Sequence, residues 1–243
     1  MQHEPLEERR LLAVDFAVAS TANVNENAGL ANFSITLSGD PLTTGQTASV
    51  DISQTGSATS GVDYDNFNTA LSNAATATGG VSLVGSTLTF DDSFNGTGTG
   101  TFQFNVNTLN DSLVEESESI TATISSATTN HPNGTTIVTS AANTTIDDNE
   151  SATVNYVGTA TVTEGGATGS INATLSLSGD GTPELAVPVD ATITSATNDF
   201  TATTVGWIAG DTGSTKAITV TAVDELFVEG TENGLAATPV TTT

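Results

Sequence analysis

The residues of this sequence with the clearest chemical character are carboxylates that stand at turns and strand ends rather than along strand faces. In the first 150 residues they are Glu26, Asp63, Asp111, Glu115, Glu118, Asp147 and Asp148. If successive strands of a β-sandwich alternate in direction, loops separated by an even number of strands meet at the same pole. The sequence therefore predicts that these carboxylates gather at one end of a sandwich.

A gathering of this kind needs a cation. Two carboxylates about 5 Å apart repel each other by roughly 3 kcal/mol at an effective dielectric constant near 20. Calcium accepts about six to eight oxygen ligands of mixed type, whereas magnesium demands strict octahedral geometry and retains water. We therefore expect Ca²⁺ to be the bound ion.

The overall charge excludes several kinds of partner. The chain has 28 acidic and 3 basic residues and a formal charge of −25. Such a surface repels nucleic acid and anionic membranes, and no apolar run approaches the roughly 18 residues of a membrane span. With no cysteine and only His3 and His131, thiolate and multi-histidine metal sites are excluded as well.

Catalysis is not expected. Two nearby carboxylates are also the machinery of glycosidases, but this chain has many more acids than such a pair needs and too few aromatic residues to stack sugars (5%). His131 is followed by Pro132, Asn133 and Gly134, a turn signal that favours a surface histidine over a catalytic base. We predict a protein that is not an enzyme.

In the segments that must position the carboxylates, apolar and polar residues alternate with a period of two. Apolar residues alternate with polar ones in runs of four to eight residues, as in Phe33, Ile35 and Leu37 or Phe102, Phe104 and Val106. This pattern is typical of half-buried antiparallel strands, and no segment sustains a 3.6-residue apolar stripe. The predicted fold class is all-β, a sandwich.

The pattern also repeats along the chain. Residues 24–40 return as residues 162–180, Asp63-Tyr64 returns as Asp199-Phe200, and residues 102–118 return as residues 217–232. The offsets differ, which predicts an insertion at 66–85 in the first copy. The predicted organisation is a disordered leader at 1–13, a repeat at 14–149 and a second repeat at 150–243 that stops before its closing strand.

The order of the motifs resembles the Calx-beta repeat. The motifs that carry the resemblance are Val24-Asn25-Glu26-Asn27-Ala28-Gly29, Gly61-Val62-Asp63-Tyr64, Leu88-Thr89-Phe90, Asn110-Asp111 with Glu115 and Glu118, and Thr145-Ile146-Asp147-Asp148. The resemblance covers residues 14–149 nearly end to end, and 151–243 as a truncated copy. It implies tandem antiparallel immunoglobulin-like sandwiches, the second incomplete, with calcium bound at one pole.

The resemblance also implies a ligand set. In copy one the matching positions are Glu26, Asp63, Asn110, Asp111, Leu113 through its carbonyl, Glu115, Glu118, Asp147 and Asp148. Asn110 and Asn149 stand where the family often has Asp, so fewer ions or weaker binding is expected. In copy two they are Glu164, Asp199, Asp224, Glu225, Glu229 and Glu232, but the closing Asp-Asp is absent, which weighs against binding there.

The leader adds an expectation about location. Leu6-Glu7-Glu8-Arg9-Arg10-Leu11-Leu12 is similar to a short motif near the N-terminus of many large exported bacterial proteins. The resemblance therefore implies a calcium-binding, non-enzymatic module at the bacterial cell surface or outside the cell, in adhesion, cell communication or membrane-associated assemblies. Calcium near the linker at Asn149-Glu150 would stiffen contacts with neighbouring repeats. The alternatives are an ion-independent spacer and an adhesin that binds a matrix glycan or protein.

Overall fold

The computed structural model describes residues 13–27, 29–166, 168–194, 199–224 and 241–242. The chain divides into two compact units, which are described separately. The first unit comprises Met1–Asn110 and Glu118–Asp147, and the second comprises Asp111–Ser117 and Asp148–Thr243. The leader expected at 1–13 lies outside the described residues except for Ala13, and the predicted domain boundaries stay a prediction.

The first unit is built almost entirely of strands. In chain order they are β1 (Val14–Ser20), β2 (Asn23–Asn25), β3 (Leu30–Gly39), β4 (Thr47–Thr55), β5 (Val81–Val84), β6 (Thr87–Asp91), β7 (Gly100–Asn107), β9 (Glu118–Thr129), β10 (Thr135–Thr139) and β11 (Ala141–Asp147). Helix α1 (Phe67–Ala77) and a 3-10 turn (Phe94–Gly96) complete the unit. The all-β prediction is confirmed.

Two sheets form the sandwich of the first unit. One has the order β10-β1-β3-β7 and the other the order β2-β11-β9-β4-β6-β5. Most neighbours are antiparallel, but β1 pairs with β10 and β2 pairs with β11 in parallel. These two parallel pairings were not anticipated from the alternating pattern, because that pattern sets which face is buried and leaves strand direction open.

The core of the first unit confirms the predicted alternation. Phe33, Ile35 and Leu37 of β3 are buried, while the residues between them are partly exposed. The Phe33 and Phe104 rings stack with centroids 5.5 Å apart across the β3–β7 pair. Cross-strand aromatic pairs of this kind stabilise a sheet in addition to the area they bury.

The expectation that no segment carries a helical stripe is wrong at α1, which lies inside the predicted insertion. Asn66 caps the helix by accepting a hydrogen bond from the Thr69 amide at 2.9 Å. Phe67, Leu71 and Ala75 are buried at a spacing of four residues, which aligns them on one helix face. The helical pattern of α1 is weak in the sequence because the apolar stripe is short and the residues between its members are small or polar.

The second unit has nine strands in the described residues. They are β8 (Leu113–Val114), β12 (Ser151–Val157), β13 (Gly169–Ser178), β14 (Glu184–Leu185), β15 (Val189–Ala191), β16 (Phe200–Ala202), β17 (Val205–Trp207), β18 (Thr215–Ala222) and β19 (Thr241–Thr242). One sheet has the order β16-β18-β13-β12-β19. Two short pairs, β15 with β17 and β8 with β14, accompany it, the latter in parallel.

The internal repeat predicted from the sequence has a counterpart in strand pairing. In the first unit β1 pairs with β3 and β3 with β7, and in the second unit β12 pairs with β13 and β13 with β18, all antiparallel. Trp207 of β17 faces Val189 as Phe90 of β6 faces Ala48. Trp207 is fully buried, and its indole Nε1 donates to the Ser214 hydroxyl at 2.9 Å.

Candidate metal centre

The predicted ligands of copy one are divided between the two compact units. Five belong to the first unit: Glu26, Asp63, Asn110, Glu118 and Asp147. Four belong to the second unit: Asp111, Leu113, Glu115 and Asp148. The convergence of the complete set on a single site stays a prediction, and the geometry of each group follows within its own unit.

Asp63 and Glu118 of the first unit have carboxylate oxygens within 4.8 Å of each other. The segment after β4 brings them together, because the Ala58 amide donates to the Ser119 carbonyl at 3.1 Å. Gly56 makes this approach possible. A Cβ on Gly56, where φ is +136°, would lie 2.0 Å from the Ser119 carbonyl oxygen.

Asp63 is held rigidly by its surroundings. Its side chain accepts from the Thr59 amide, and its own amide donates to the Thr59 carbonyl at 3.0 Å. Its carbonyl accepts from the Leu109 amide at 2.9 Å, next to the exposed Asn110. These bonds fix the Asp63 carboxylate in place, and a fixed carboxylate is a pre-organised ligand.

Glu26 directly follows β2, and Asp147 ends the neighbouring strand β11. Asn25 and Asp147 are opposite each other in the parallel β2–β11 pair, and the Glu26 amide donates to the Asp147 carbonyl at 3.0 Å. The hydroxyl of Thr108 donates to the Glu26 carbonyl at 2.7 Å. The turn that carries Glu26 is therefore tied to two distant segments of the chain.

The buried carboxylates of the first unit lie in a stretch of sequence without basic residues. Glu26 is 7% and Asp63 is 8% exposed, although burial of an ionised carboxylate costs several kcal/mol unless positive charge compensates it. Residues 11–215 contain no Lys or Arg. A bound cation would supply the compensating positive charge that this stretch of sequence lacks.

The predicted ligands of the second unit lie in the loop at 111–117 and at Asp148, which contacts that loop. Asp111 accepts from the Leu113 amide at 2.7 Å, which folds the loop back on itself. The Glu115 amide donates to Oδ2 of Asp148 at 2.7 Å. All of these residues are half-buried. Carboxylate and carbonyl oxygens held in this way are the mixed donors that calcium accepts.

Sequence reasoning missed two acidic residues of the second unit, Glu150 and Asp180. Glu150 was assigned to a linker, yet it is only 3% exposed. Burial raises its pKa above the ordinary value, and the nearby negative charges of Asp148 and Asp180 add to the effect. The one available signal was Asp180 in the repeated Ser-Gly-Asp motif, which recurs from Ser38-Gly39-Asp40.

The candidates of copy two are in a more open environment where they are described. Glu164 and Asp224 are exposed, and Asp199 is half-buried. The Asp199 carbonyl accepts from the Val223 amide at 2.8 Å. The remaining candidates, Glu225, Glu229 and Glu232, lie outside the described residues.

Tyr64, next to Asp63, predicts that the stability of the first unit depends on pH in the alkaline range. Its ring is 1% exposed, and this burial raises the pKa of its phenol, with a smaller contribution from the Asp63 charge. A hydrogen bond with Ser60 partly offsets the increase. In the unfolded chain the phenol titrates near pH 10.

We expect the free energy of unfolding to be insensitive to Tyr64 below about pH 10 and to fall as the pH rises above it. The reason is that the unfolded state loses the phenol proton first, so increasing pH favours unfolding. Urea unfolding between pH 8 and pH 11 measures the loss, with Tyr64→Phe as the control. Parallel curves for the two proteins would contradict the assignment.

Comparison with known proteins adds the family. The Calx-beta domain model matches residues 13–150, more than half of the chain and the part that contains the Asp63–Glu118 pair. The chain belongs to the Calx-beta family. Residues 13–150 are thus a domain of a calcium-binding, non-enzymatic family, and their oxygen-rich donors fit that ion.

Solved structures similar to this Calx-beta protein include the apo form of the Calx CBD1 domain, at 20% identity and a TM-score of 0.37, over 56% of this chain and 97% of that one. The calcium binding domain CBD12 of CALX1.1 is 15% identical with a TM-score of 0.35, over 84% and 76%. A type I cohesin–dockerin complex from Clostridium thermocellum is 11% identical with a TM-score of 0.31, over 61% and 99%. Because these TM-scores are low, the family assignment rests on the match to residues 13–150.

The search of curated proteins gave no match. Among the residues that the structure describes, there is no helix with the length and apolar character needed to cross a membrane.

Proposed function

We propose that this Calx-beta protein binds Ca²⁺ through the turn carboxylates of residues 26–148 and uses the ion to stabilise its fold. In the first unit the ligands are Glu26, Asp63, Glu118 and Asp147. In the second unit they are Asp111, Glu115 and Asp148, with the carbonyl of Leu113. Family membership supports calcium as the ion, and the protein's own residues supply the oxygen donors.

One observation carries the proposal. Asp63 and Glu118 hold carboxylate oxygens within 4.8 Å of each other, and Asp63 is almost fully buried, in a stretch of more than two hundred residues that lacks Lys and Arg. Repulsion between two such charges amounts to roughly 3 kcal/mol at an effective dielectric constant near 20. A divalent cation converts this repulsion into attraction.

Isothermal titration calorimetry of the full chain with CaCl₂ tests the proposal. We expect saturable binding of at least one Ca²⁺, with little response to MgCl₂ because crowded carboxylates do not provide the octahedral, partly hydrated site that magnesium needs. Repeating the calcium titration at physiological ionic strength separates specific binding from screening of the −25 charge. The absence of saturable calcium heat would contradict the proposal.

We further propose that bound calcium restricts motion between neighbouring repeats, so that a tandem array becomes stiffer. The reasoning is that a metal held by loop residues reduces the conformational freedom of those loops. Small-angle X-ray scattering with and without calcium measures the effect. A narrower distribution of intramolecular distances in calcium supports stiffening, and an unchanged distribution favours the ion-independent spacer.

The cellular setting we propose is the surface of a bacterium, with a role in adhesion or cell communication. The support is the acidic composition and the export-like motif at 6–12, which lies outside the described residues. A matrix glycan or protein is the proposed partner. Protease treatment of intact cells tests surface exposure, and pull-down with matrix components separates an adhesin from a spacer.

A further inference from the structure

The second unit contains a buried acidic residue that the family ligand set does not use. Glu150 precedes β12 and is 3% exposed. Its Oε1 accepts from the Asp180 amide at 2.8 Å and from Nδ2 of Asn149 at 2.9 Å. Within the described part of the chain, its Oε2 is buried and has no hydrogen-bond partner. An acceptor left in this state carries a desolvation cost that a bound cation would offset.

A second oxygen shares this condition. Oδ1 of Asn149 is also buried without a hydrogen-bond partner among the described residues. The amide orientation is set by Nδ2, which donates to Glu150 and also lies 3.4 Å from Oδ2 of Asp180. Oδ1 therefore cannot simply be exchanged with Nδ2 without setting the amide oxygen against two carboxylates. Two adjacent residues thus present buried oxygen acceptors with no proton donor.

Two further carboxylates flank these oxygens. Oxygens of Asp148 and Glu150 lie within 4.8 Å of each other, and the Glu150 amide donates to Oδ1 of Asp148 at 2.8 Å. Asp180 follows Gly179, where an added Cβ would lie 2.6 Å from Cγ of Glu150. The chain therefore uses a glycine to bring the Asp180 turn against the Glu150 side chain.

We propose that Asp148, Asn149, Glu150 and Asp180 form a further Ca²⁺ site in the second unit, with Glu150 as its buried ligand. The donors are three carboxylates and one amide oxygen, all hard ligands, and water completes the coordination. This site deepens the proposed function and rests on it, because Asp148 is common to both ligand sets. Glu150 and Asp180 do not belong to the ligand set named for the proposed function.

The test is calcium titration of four full-length proteins: the wild type, Glu150→Gln, Asp180→Asn and the control Asp190→Asn. Asp190 is exposed on β15, so its variant changes the net charge equally without touching the cluster. We expect Glu150→Gln and Asp180→Asn to lose one Ca²⁺ or to weaken one binding step by at least about tenfold, since affinity follows the number of charged ligands. The control should bind as the wild type does.

Melting temperature provides a second readout. In chelator, Glu150→Gln should melt at or above the wild-type temperature, because it removes a buried charge, while its calcium-induced increase should be smaller. Asp180 is exposed, so Asp180→Asn keeps the test valid if Glu150→Gln does not fold.

Isotherms of Glu150→Gln and Asp180→Asn that match wild type would overturn this site and leave the proposed function intact. The proposed function itself fails if the wild type binds no calcium. Residual binding of one ion by Asp63→Asn/Glu118→Gln, lost when Glu150→Gln is added, supports the site.

Discussion

We expect calcium to raise the melting temperature of the full chain by about 5–10 °C at a free concentration near 100 times the dissociation constant. Binding to the folded state alone contributes about 2.7 kcal/mol per ion under that condition, and 1 kcal/mol shifts the midpoint of a domain of this size by roughly 2–4 °C. This is a large share of the 5–15 kcal/mol that stabilises a typical domain. Far-ultraviolet circular dichroism, which reports on the strands, follows the transition.

The increase must be reversible and specific for calcium. Adding chelator in excess should return the melting curve to that of the metal-free protein, and an equal concentration of MgCl₂ at matched ionic strength should give a much smaller shift. A melting curve that is the same in calcium and in chelator would contradict the stabilising role of the ion.

The double variant Asp63→Asn/Glu118→Gln should be more stable than the wild type without calcium and less stable than the wild type with calcium. In chelator it should be more stable than the wild type by as much as about 3 kcal/mol, the repulsion between the two charges. In saturating calcium it should be less stable than the wild type, because two charged ligands are lost and the affinity falls at least about tenfold. Chemical denaturation in each buffer measures both differences.

A matched control is Asp40→Asn/Asp92→Asn, which removes the same charge from two half-buried positions of the first unit. Asp40 accepts from the Asn133 amide group and Asp92 from the Gly45 amide, and an Asn oxygen can accept in the same way. This variant should respond to calcium as the wild type does. If Asp63→Asn/Glu118→Gln behaves like it in both buffers, the pair is not a calcium ligand.

The strands could be predicted because one face of each is buried and the other is solvated. The sequence indicates the buried face of β3 directly, through the alternation of Phe33, Ile35 and Leu37 with polar residues. The structure buries all three. Helix α1 could not be predicted in the same way. It shows only three strongly buried positions over 11 residues, and what fixes it is tertiary packing of Phe67 against Phe33 and Phe104, at 5.5 and 5.1 Å between ring centroids. Such contacts are not local in sequence.

In the candidate site, too, the positions of residues along the chain could be predicted, but their contacts in space could not. The turn positions of Asp63 and Glu118 follow from the strand pattern, so both residues were predicted as ligands. Their separation in space depends on the close approach at Gly56, which the sequence alone does not reveal. Glu150 was missed because its local sequence is typical of a linker. Its burial depends on the turn at Gly179, far along the chain.

The most direct test of calcium binding by the Asp63–Glu118 pair is a crystal structure of the full chain grown in saturating CaCl₂, with anomalous data collected to locate the ion. We predict an anomalous peak with oxygens of Asp63 and Glu118 at about 2.3–2.6 Å, the distance range of calcium ligands. Ordered carboxylates at this position without an ion between them, in crystals saturated with calcium, would contradict the account.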